Sequence, residues 1–385
     1  MTNAKLNWIP VAEPDVGALE EEYLLRAFRS GWISSLGEYV TSFEKSFAVF
    51  CGARYGESAS NGTVALQLAL LAAKIGPGDE VIIPPLTFVA TAAAVRHVGA
   101  TPVFADCEPL IGTISPDAVE RAITSRTRCI IPVHLYGHPA DMDPIMELAH
   151  RHSLVVIEDA AEAHGARYKG RRVGSIGHMG IFSFYGNKLI TTGEGGMVVT
   201  DDSEYSSRIR LLKDHAMSAD RRYWHEELGF NFRMTNLQAA IGCAQLERYD
   251  EIVRKHQAVV ETYREALAND ERVIINPSMP WAEPVPWLAC LQLSSRFACS
   301  GRDALMEFLR SEGIDTRPYF NLLCDMPPYR KKESDNRDHP IARELAMRGL
   351  NLPSSTTLTR ENIFRVADMC RKGLDAQAGC NIGSR

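Results

Sequence analysis

The first two-thirds of the chain alternates short apolar, β-branched runs with amphipathic helical patterns. The strand patterns lie at 80–84, 101–106, 129–133 and 155–157. The helical patterns lie at 90–98, 115–124 and 144–152. Such alternation is typical of parallel strands joined by crossover helices that cover both faces of a sheet. In open sheets of this kind, ligands bind beyond the carboxyl ends of the strands. The pattern therefore predicts an α/β fold with its site at that edge.

A lysine lies within the glycine-rich stretch 183–196, which also carries apolar residues. Burial disfavours the charged form of a lysine and frees its amine to attack carbonyl carbons. The glycines around it allow tight turns and the close approach of a bulky planar group. A surface lysine beside a glycine turn would have the same local sequence, so Lys188 alone leaves both interpretations open.

Two upstream motifs narrow the choice. The apolar run 154–157 predicts a buried strand that delivers Asp159 at its carboxyl end. A carboxylate there suits a protonated ring nitrogen such as that of pyridoxal phosphate (PLP), which acts as an electron sink only while that nitrogen is cationic. Gly62 and Thr63 open an amphipathic helix whose free N–H groups can bind a phosphate. Each motif has an ordinary structural explanation, but their order along the chain predicts a PLP site.

These motifs resemble the DegT/DnrJ/StrS family of PLP-dependent nucleotide-sugar aminotransferases over nearly the whole chain. The matching stretches include 30–37, 78–84, 132–143 and 229–240. Within the family, the sequence Gly186-Asn187-Lys188, His138 and the run 222–225 are most similar to GDP-perosamine synthases. The resemblance implies fold type I of the PLP-dependent transferases, which is aspartate aminotransferase-like. That fold has a mostly parallel central sheet, helices on both faces and a smaller C-terminal α+β domain.

The resemblance also implies a division of the chain. We expect a large PLP-binding domain at 1–245 and a small C-terminal domain at 246–385, with the last ~10 residues disordered because termini fray unless they are tied down. A helical pattern runs from Asn236 through Ala268, and further helices are predicted at 302–312 and 341–348.

By resemblance, four residues contact the reactive part of the cofactor. Lys188 is expected to bond to PLP and to move a proton during the reaction. Asp159 is expected to pair with the pyridine nitrogen. Phe88 would stack on the ring, and Glu162, where many family members have glutamine, would hydrogen-bond its phenolic oxygen.

The phosphate contacts implied by the family come from two subunits. Gly62 and Thr63 would donate backbone N–H groups, helped by the Ser183 hydroxyl. Asn231 matches the position from which family members reach the phosphate of the neighbouring subunit. We therefore expect a homodimer with shared active sites.

The sugar pocket is the least constrained part of the site. Its candidates, by position relative to the family motifs, are Ser34, His164, Arg233 and Tyr319. The sequence departs from the family at 321–326, which lacks a histidine often found there, and at 287–293, where a His/Tyr-rich strand is usual. These departures leave the sugar specificity open.

The implied reaction is the transfer of an amino group from L-glutamate to a 4-keto-6-deoxy nucleotide sugar, with pyridoxamine phosphate as the intermediate form of the cofactor. GDP-4-keto-6-deoxymannose is the preferred acceptor, which would give GDP-perosamine. A dTDP- or UDP-linked 3- or 4-keto sugar is the alternative within the family. A non-catalytic PLP-binding regulator is the alternative of another class. A nicotinamide dehydrogenase would need a Gly-x-Gly-x-x-Gly turn after an early strand, which the sequence lacks.

Composition sets the remaining limits. A formal charge of −6 over 385 residues gives no basic surface for nucleic acid. No run of about 18 apolar residues predicts a membrane span. The nine cysteines include no Cys-x-x-Cys pair, which argues against a zinc site or a disulfide framework. We therefore expect a cytoplasmic enzyme that binds no metal, no nucleic acid and no membrane.

Overall fold

The computed structural model describes residues 8–295, 298–330 and 339–382. The strands are β1 Tyr55–Ala59, β2 Glu80–Ile83, β3 Thr101–Phe104, β4 Thr127–Ile130, β5 Val155–Asp159, β6 Arg167–Tyr168, β7 Arg171–Arg172, β8 Met179–Ser183, β9 Gly196–Thr200, β10 Val273–Ile275, β11 Ala282–Glu283, β12 Ala289–Leu293, β13 Arg317–Pro318 and β14 Gly349–Leu352. The helices are α1 Ala18–Arg29, α2 Glu38–Cys51, α3 Gly62–Ala72, α4 Ala90–His97, α5 Pro116–Ala122, α6 Met142–His152, α7 Ser203–Lys213, α8 Asn236–Glu247, α9 Tyr249–Ala266, α10 Ala298–Ser311, α11 Pro340–Arg348 and α12 Arg360–Ile382.

The central sheet has the predicted parallel character. Within the described ranges it contains seven strands in the order β1-β9-β8-β5-β4-β2-β3. All of them run in one direction except β9, which is antiparallel to both β1 and β8. The carboxyl ends of β1, β2, β4, β5 and β8 therefore meet at one edge.

Both faces of this sheet are buried, as expected for strands that are apolar on both sides. Ile82, Ile130 and Val156 point into one core cluster. Their strand neighbours Ile83 and Ile157 point into the cluster on the other face, because successive side chains of a strand alternate between faces.

The C-terminal part of the chain builds a second, smaller sheet in the order β10-β12-β14-β13, with all pairs antiparallel. Apolar residues of α9, α10 and α12 form a separate core cluster with this sheet. Ile9 also joins that cluster and bridges to Ile314, so the N-terminal segment returns to the C-terminal part. The domain division at 245/246 stays a prediction.

One sequence-based expectation differs from the structure. The long helix predicted from Asn236 is broken into α8 and α9 at Arg248, whose backbone leaves the helical region. Helix α12 runs to Ile382, and its residues Ile363, Val366 and Leu374 are buried in the smaller core. The disorder expected for the last ~10 residues stays a prediction. Residues 383–385 lie outside the described residues.

The helix break at Arg248 coincides with a cluster of buried charges. The guanidinium donates to the carboxylates of Asp15 at 2.7 Å and Glu20 at 2.8 Å. Although burial opposes ionisation, hydrogen bonds from Thr356, Arg248 and Lys255 lower the pKa of Asp15 to about 2. The N-terminal segment is thus pinned to the junction of α8 and α9.

Arg248→Met should lower the free energy of unfolding by about 3–5 kcal/mol, because it leaves the buried carboxylate of Glu20 without its ion-pair partner and removes one of the two ion pairs of Asp15. Arg26→Met is the matched control, since Arg26 pairs with Glu22 where both side chains are more than half exposed. That change should cost less than about 1 kcal/mol. Denaturant unfolding of both variants measures the difference, and equal losses would contradict the structural role of Arg248.

Candidate active site

A cavity of about 640 Å³ opens at the carboxyl edge of the central sheet. It collects side chains and backbone from the segments that follow β1, β2, β5 and β8. Seven of the predicted site residues line it: Gly62, Thr63, Phe88, Asp159, Glu162, Ser183 and Lys188. The sequence motifs, which are up to 126 positions apart (188 − 62), therefore meet in one place.

Lys188 lies in the tight turn after β8, where its backbone N–H donates to the Tyr185 carbonyl at 2.8 Å. Its side chain is only 11% exposed. The Nζ atom is 3.6 Å from the centroid of the Trp287 ring and 3.9 Å from Oε1 of Glu162. Burial lowers the pKa of Lys188, and the nearby carboxylates only partly oppose this effect. The neutral amine, which is the nucleophilic and proton-accepting form, is thus easier to reach than it is for a lysine in water.

Asp159 is the last residue of β5, as predicted, and its carboxylate faces the cavity. One oxygen accepts a hydrogen bond from Oγ1 of Thr91 at 2.8 Å, and the other accepts the N–H of Ala161 at 3.3 Å. Burial raises the pKa of Asp159, while these hydrogen bonds and Lys188 act against the rise. A cationic group bound beside it would favour the ionised carboxylate.

Glu162 lies one turn beyond Asp159 and is almost fully buried. Its Oε2 accepts the backbone N–H of Tyr136 at 2.8 Å, and its Oε1 faces Lys188. Burial raises the pKa of Glu162 to about 7, and Lys188 opposes the rise. The carboxyl of Glu162 can therefore be protonated near neutral pH. It then offers a hydrogen-bond donor, as the side-chain amide of glutamine does in family members that have glutamine at this position.

The start of α3 forms the other end of the cavity. Asn61 caps this helix by accepting the N–H of Val64 at 3.0 Å, which leaves the N–H groups of Gly62 and Thr63 without intrahelical partners. A Cβ on Gly62 would come within 2.8 Å of the Ser183 Cβ, so only glycine allows this approach. Free N–H groups at a helix N-terminus beside a hydroxyl suit a phosphate.

Together these groups fit PLP. The helix start suits its phosphate, the carboxylate of Asp159 suits its ring nitrogen, and the amine of Lys188 suits its aldehyde carbon. No group of three or more His, Cys, Asp or Glu side chains in the described ranges is placed to hold a metal ion. None of the helices in those ranges has the length and apolar character needed to span a bilayer.

Three other predicted residues lie outside the cavity in a single subunit. Asn231 is exposed, and its amide oxygen accepts from Nε of Arg233 at 3.1 Å. Arg233 forms an ion pair with Asp214. Ser34 is exposed, and its carbonyl accepts the N–H of Asn236 at 2.5 Å.

The remaining two sugar-pocket candidates are buried away from the cavity. His164 is fully buried against the rings of Phe182 and Phe184, and burial lowers its pKa to about 3. Tyr319 lines a separate cavity of about 340 Å³ and packs on Tyr136 with 4.8 Å between ring centroids. Neither side chain lines the cavity beside Lys188 in the single subunit, and their assignment to the sugar pocket stays a prediction.

Comparison with known proteins agrees with this geometry. The sequence profile that describes the DegT/DnrJ/EryC1/StrS aminotransferase family matches residues 14–371 of this chain. The chain belongs to this family. The predicted family, fold and aminotransferase class are thus confirmed, and with them the dependence on PLP.

Individual relatives in this family match over nearly their full length. A GDP-perosamine synthase of Caulobacter vibrioides is 46% identical, with 93% of this chain and 96% of the relative covered. A GDP-perosamine synthase of Escherichia coli O157:H7 is 42% identical, with 94% and 98% covered. The crystal structure of S. venezuelae DesV superposes with a TM-score of 0.85 at 38% identity, with 92% and 93% covered.

The aminotransferase cavity also contains residues that sequence reasoning missed. Thr91 binds Asp159 from the start of α4, and Trp287, Arg317 and Phe320 form the wall contributed by the C-terminal part. Arg317 and Phe320 flank Tyr319, which was already a candidate for the sugar pocket, and that was a usable signal. In the sequence, Trp287 was marked only by the departure of 287–293 from the His/Tyr-rich strand that is usual in the family.

Glu162→Gln should change how the stability of the cofactor-free aminotransferase depends on pH. A carboxyl whose pKa is raised by folding stabilises the fold fully below its unfolded value of 4.5, and this contribution is lost as the pH rises towards about 7. The variant should therefore gain stability relative to the wild type over that range, by at most about 3 kcal/mol. Denaturant unfolding across a pH series measures this gain.

The control for this measurement is Glu194→Gln, which alters an exposed carboxylate on the wall of the same cavity. Its stability should run parallel to that of the wild type at every pH. If the Glu162→Gln curve is also parallel to the wild-type curve, Glu162 does not change its protonation near neutral pH.

Proposed function

We propose that the protein transfers an amino group from L-glutamate to GDP-4-keto-6-deoxymannose and so makes GDP-perosamine. The observation that carries this proposal is the meeting of Lys188, Asp159 and the start of α3 in one cavity. The two GDP-perosamine synthases that match more than nine-tenths of the chain support the choice of acceptor. The location in the cytoplasm remains a prediction.

Each half of the reaction needs a proton to move between two carbon atoms. Bound PLP supplies the carbonyl carbon that takes the amino group and a ring that accepts electrons. Lys188, held as a partly desolvated amine, takes and returns the proton from a position inside the cavity. Asp159 keeps a proton on the ring nitrogen by staying ionised. Gly62 and Thr63 hold the phosphate with their N–H groups.

The substrates are anions, whereas the chain as a whole carries a charge of −6. They must therefore be held by local positive groups. Arg317 lines the mouth of the cavity and is exposed, so it is placed to bind a carboxylate or a diphosphate. We assign it to substrate binding in this proposal.

A panel of GDP-, dTDP- and UDP-linked 4-keto-6-deoxy sugars tests the acceptor, with L-glutamate as donor and mass spectrometry as readout. The GDP sugar should be aminated fastest. Lys188→Ala should lower the rate by about 10⁴-fold or more, since both nucleophile and proton carrier are lost. It should still fold and bind PLP through the phosphate and ring contacts. Faster amination of a dTDP or UDP sugar would reject the proposed acceptor but not the enzyme class.

We further propose a homodimer in which Asn231 completes the phosphate site of the neighbouring subunit. Asn231 is exposed and outside the cavity of its own chain. It is flanked by segments with exposed apolar side chains, which include Trp32, Ile33, Leu36, Trp224 and Leu228. The first segment is tied to the Asn231 region, because Asn236 donates to the Trp32 carbonyl at 2.7 Å. Such exposed apolar residues favour a protein interface.

Mixing Asn231→Ala with Lys188→Ala tests the shared site. In each mixed dimer one site carries both changes and the other carries neither, because a two-fold axis pairs Lys188 of one subunit with Asn231 of the next. After subunit exchange, activity should rise above that of both parent variants, towards about half of wild type in the mixed dimers. If exchange is complete and activity only equals the mean of the parents, Asn231 acts within its own subunit.

A further inference from the structure

The ring of Trp287 lies directly beside the reactive amine. Trp287 is 6% exposed and precedes β12, and its ring forms part of the cavity wall. The Nζ of Lys188 is 3.6 Å from the ring centroid, which is well within the range of a cation–π contact. Among the aromatic side chains, tryptophan gives the strongest contact of this kind.

Two contacts fix the ring in this position. Its Nε1–H donates to the carbonyl of Asn187 at 2.6 Å, which is the residue directly before the lysine. The ring also stacks on Tyr136 with 6.2 Å between centroids. Trp287 is therefore hydrogen-bonded to the backbone of the turn that carries Lys188. The face of its ring is held beside the lysine amine.

The reaction proposed above creates a need for such a contact. While the amino group in transit is carried by the cofactor, the amine of Lys188 is not bonded to it. A free amine that has taken up a proton is then a buried cation, which requires stabilisation close by. The ring of Trp287 on one side and the carboxyl of Glu162 at 3.9 Å on the other provide it.

We propose that Trp287 is a positioning residue that holds the ammonium group of Lys188 over its ring whenever the lysine is not bonded to the cofactor. This proposal rests on the proposed function, because only a reaction that releases the lysine needs the contact. The ring acts through Lys188 and takes no part in bond making.

The charged groups around Lys188 decide how its protonation can be measured. Asp159 and Glu162 face it from the segment that ends β5, and Glu194 and Arg317 line the same cavity. His164 packs nearby but is kept neutral by burial. Changing only Trp287 leaves all these charges in place, so a change in the protonation of Lys188 reports on the ring.

Two roles of the ring predict opposite effects. If Trp287 only shields the amine from water, its removal hydrates Lys188 and raises the pKa of the lysine. If it stabilises the ammonium, its removal lowers that pKa, because the charged form loses its contact. The sign of the change therefore separates the two roles.

The experiment uses the full chain freed of PLP and labelled with trace acetic anhydride across a pH series. Peptide mass spectrometry then gives the midpoint at which Lys188 becomes reactive. Trp287→Met should lower this midpoint by about one pH unit, since it keeps an apolar side chain but removes the ring. Trp287→Phe, which keeps a weaker ring, should lower it by less.

Trp281→Phe is the matched control, because Trp281 packs on His138 and Tyr168 and does not line the cavity. Its midpoint should equal that of the wild type. An unchanged or raised midpoint in Trp287→Met overturns the proposal. If thermal unfolding shows that Trp287→Met does not fold, Trp287→Phe decides in the same way, with a lowered midpoint in support and any other result against.

No sugar or glutamate is present in the labelling, so its outcome is independent of the substrate panel. An unchanged Lys188 midpoint in an enzyme that still aminates the GDP sugar would reject only the role of Trp287. If the wild-type protein aminates none of the sugars but Trp287→Met still lowers the midpoint, the proposed function is rejected and the contact remains a structural feature.

Discussion

The chemistry of this protein depends on the burial of two carboxyl groups and one amine beside one another. Removal from water raises the pKa of Asp159 and Glu162 and lowers that of Lys188. Any one of these charges alone would be costly in the interior. Burial favours the neutral form of each group, whereas the carboxyl groups and the amine favour each other's charged form. This balance is what makes the proton of an amine easier to exchange than it is in water.

Another buried acid, Glu158, stabilises the backbone that holds these groups. Glu158 precedes Asp159 in β5 and points to the opposite face, because strand side chains alternate. It accepts hydrogen bonds from the N–H groups of Gly174, Ile176 and Gly177, and it contacts Nε2 of His134 at 2.9 Å. The N–H of His134 in turn donates to the Asp159 carbonyl at 3.0 Å. One acid therefore fixes the strand end, and the other faces the cavity.

Local pattern was enough to predict the parallel sheet, the strand that ends at Asp159 and the helix start at Gly62, since each depends on neighbours in sequence. Contacts between distant segments were not predictable in this way. Trp287 meets Asn187 across 100 positions, and Arg248, at the helix break, pairs with carboxylates more than 220 positions away. The burial of His164 was equally hidden, because the rings of Phe47, Phe182 and Phe184 that surround it are distant in sequence.

The same distant contacts tie the lysine turn to the N-terminal segment. The side-chain oxygen of Gln245 accepts the N–H of Thr191, which lies in the turn that follows Lys188. Its amide nitrogen donates to the Asp15 carbonyl at 2.7 Å and to Glu20 at 2.9 Å. Both acids are also partners of Arg248, three residues further along the chain. The ion cluster at the helix break thus fixes one side of the lysine turn through Gln245, and Trp287 fixes the other. Two parts of the chain that are remote in sequence therefore determine the position of Lys188. The small residues around the lysine allow the turn to adopt this position.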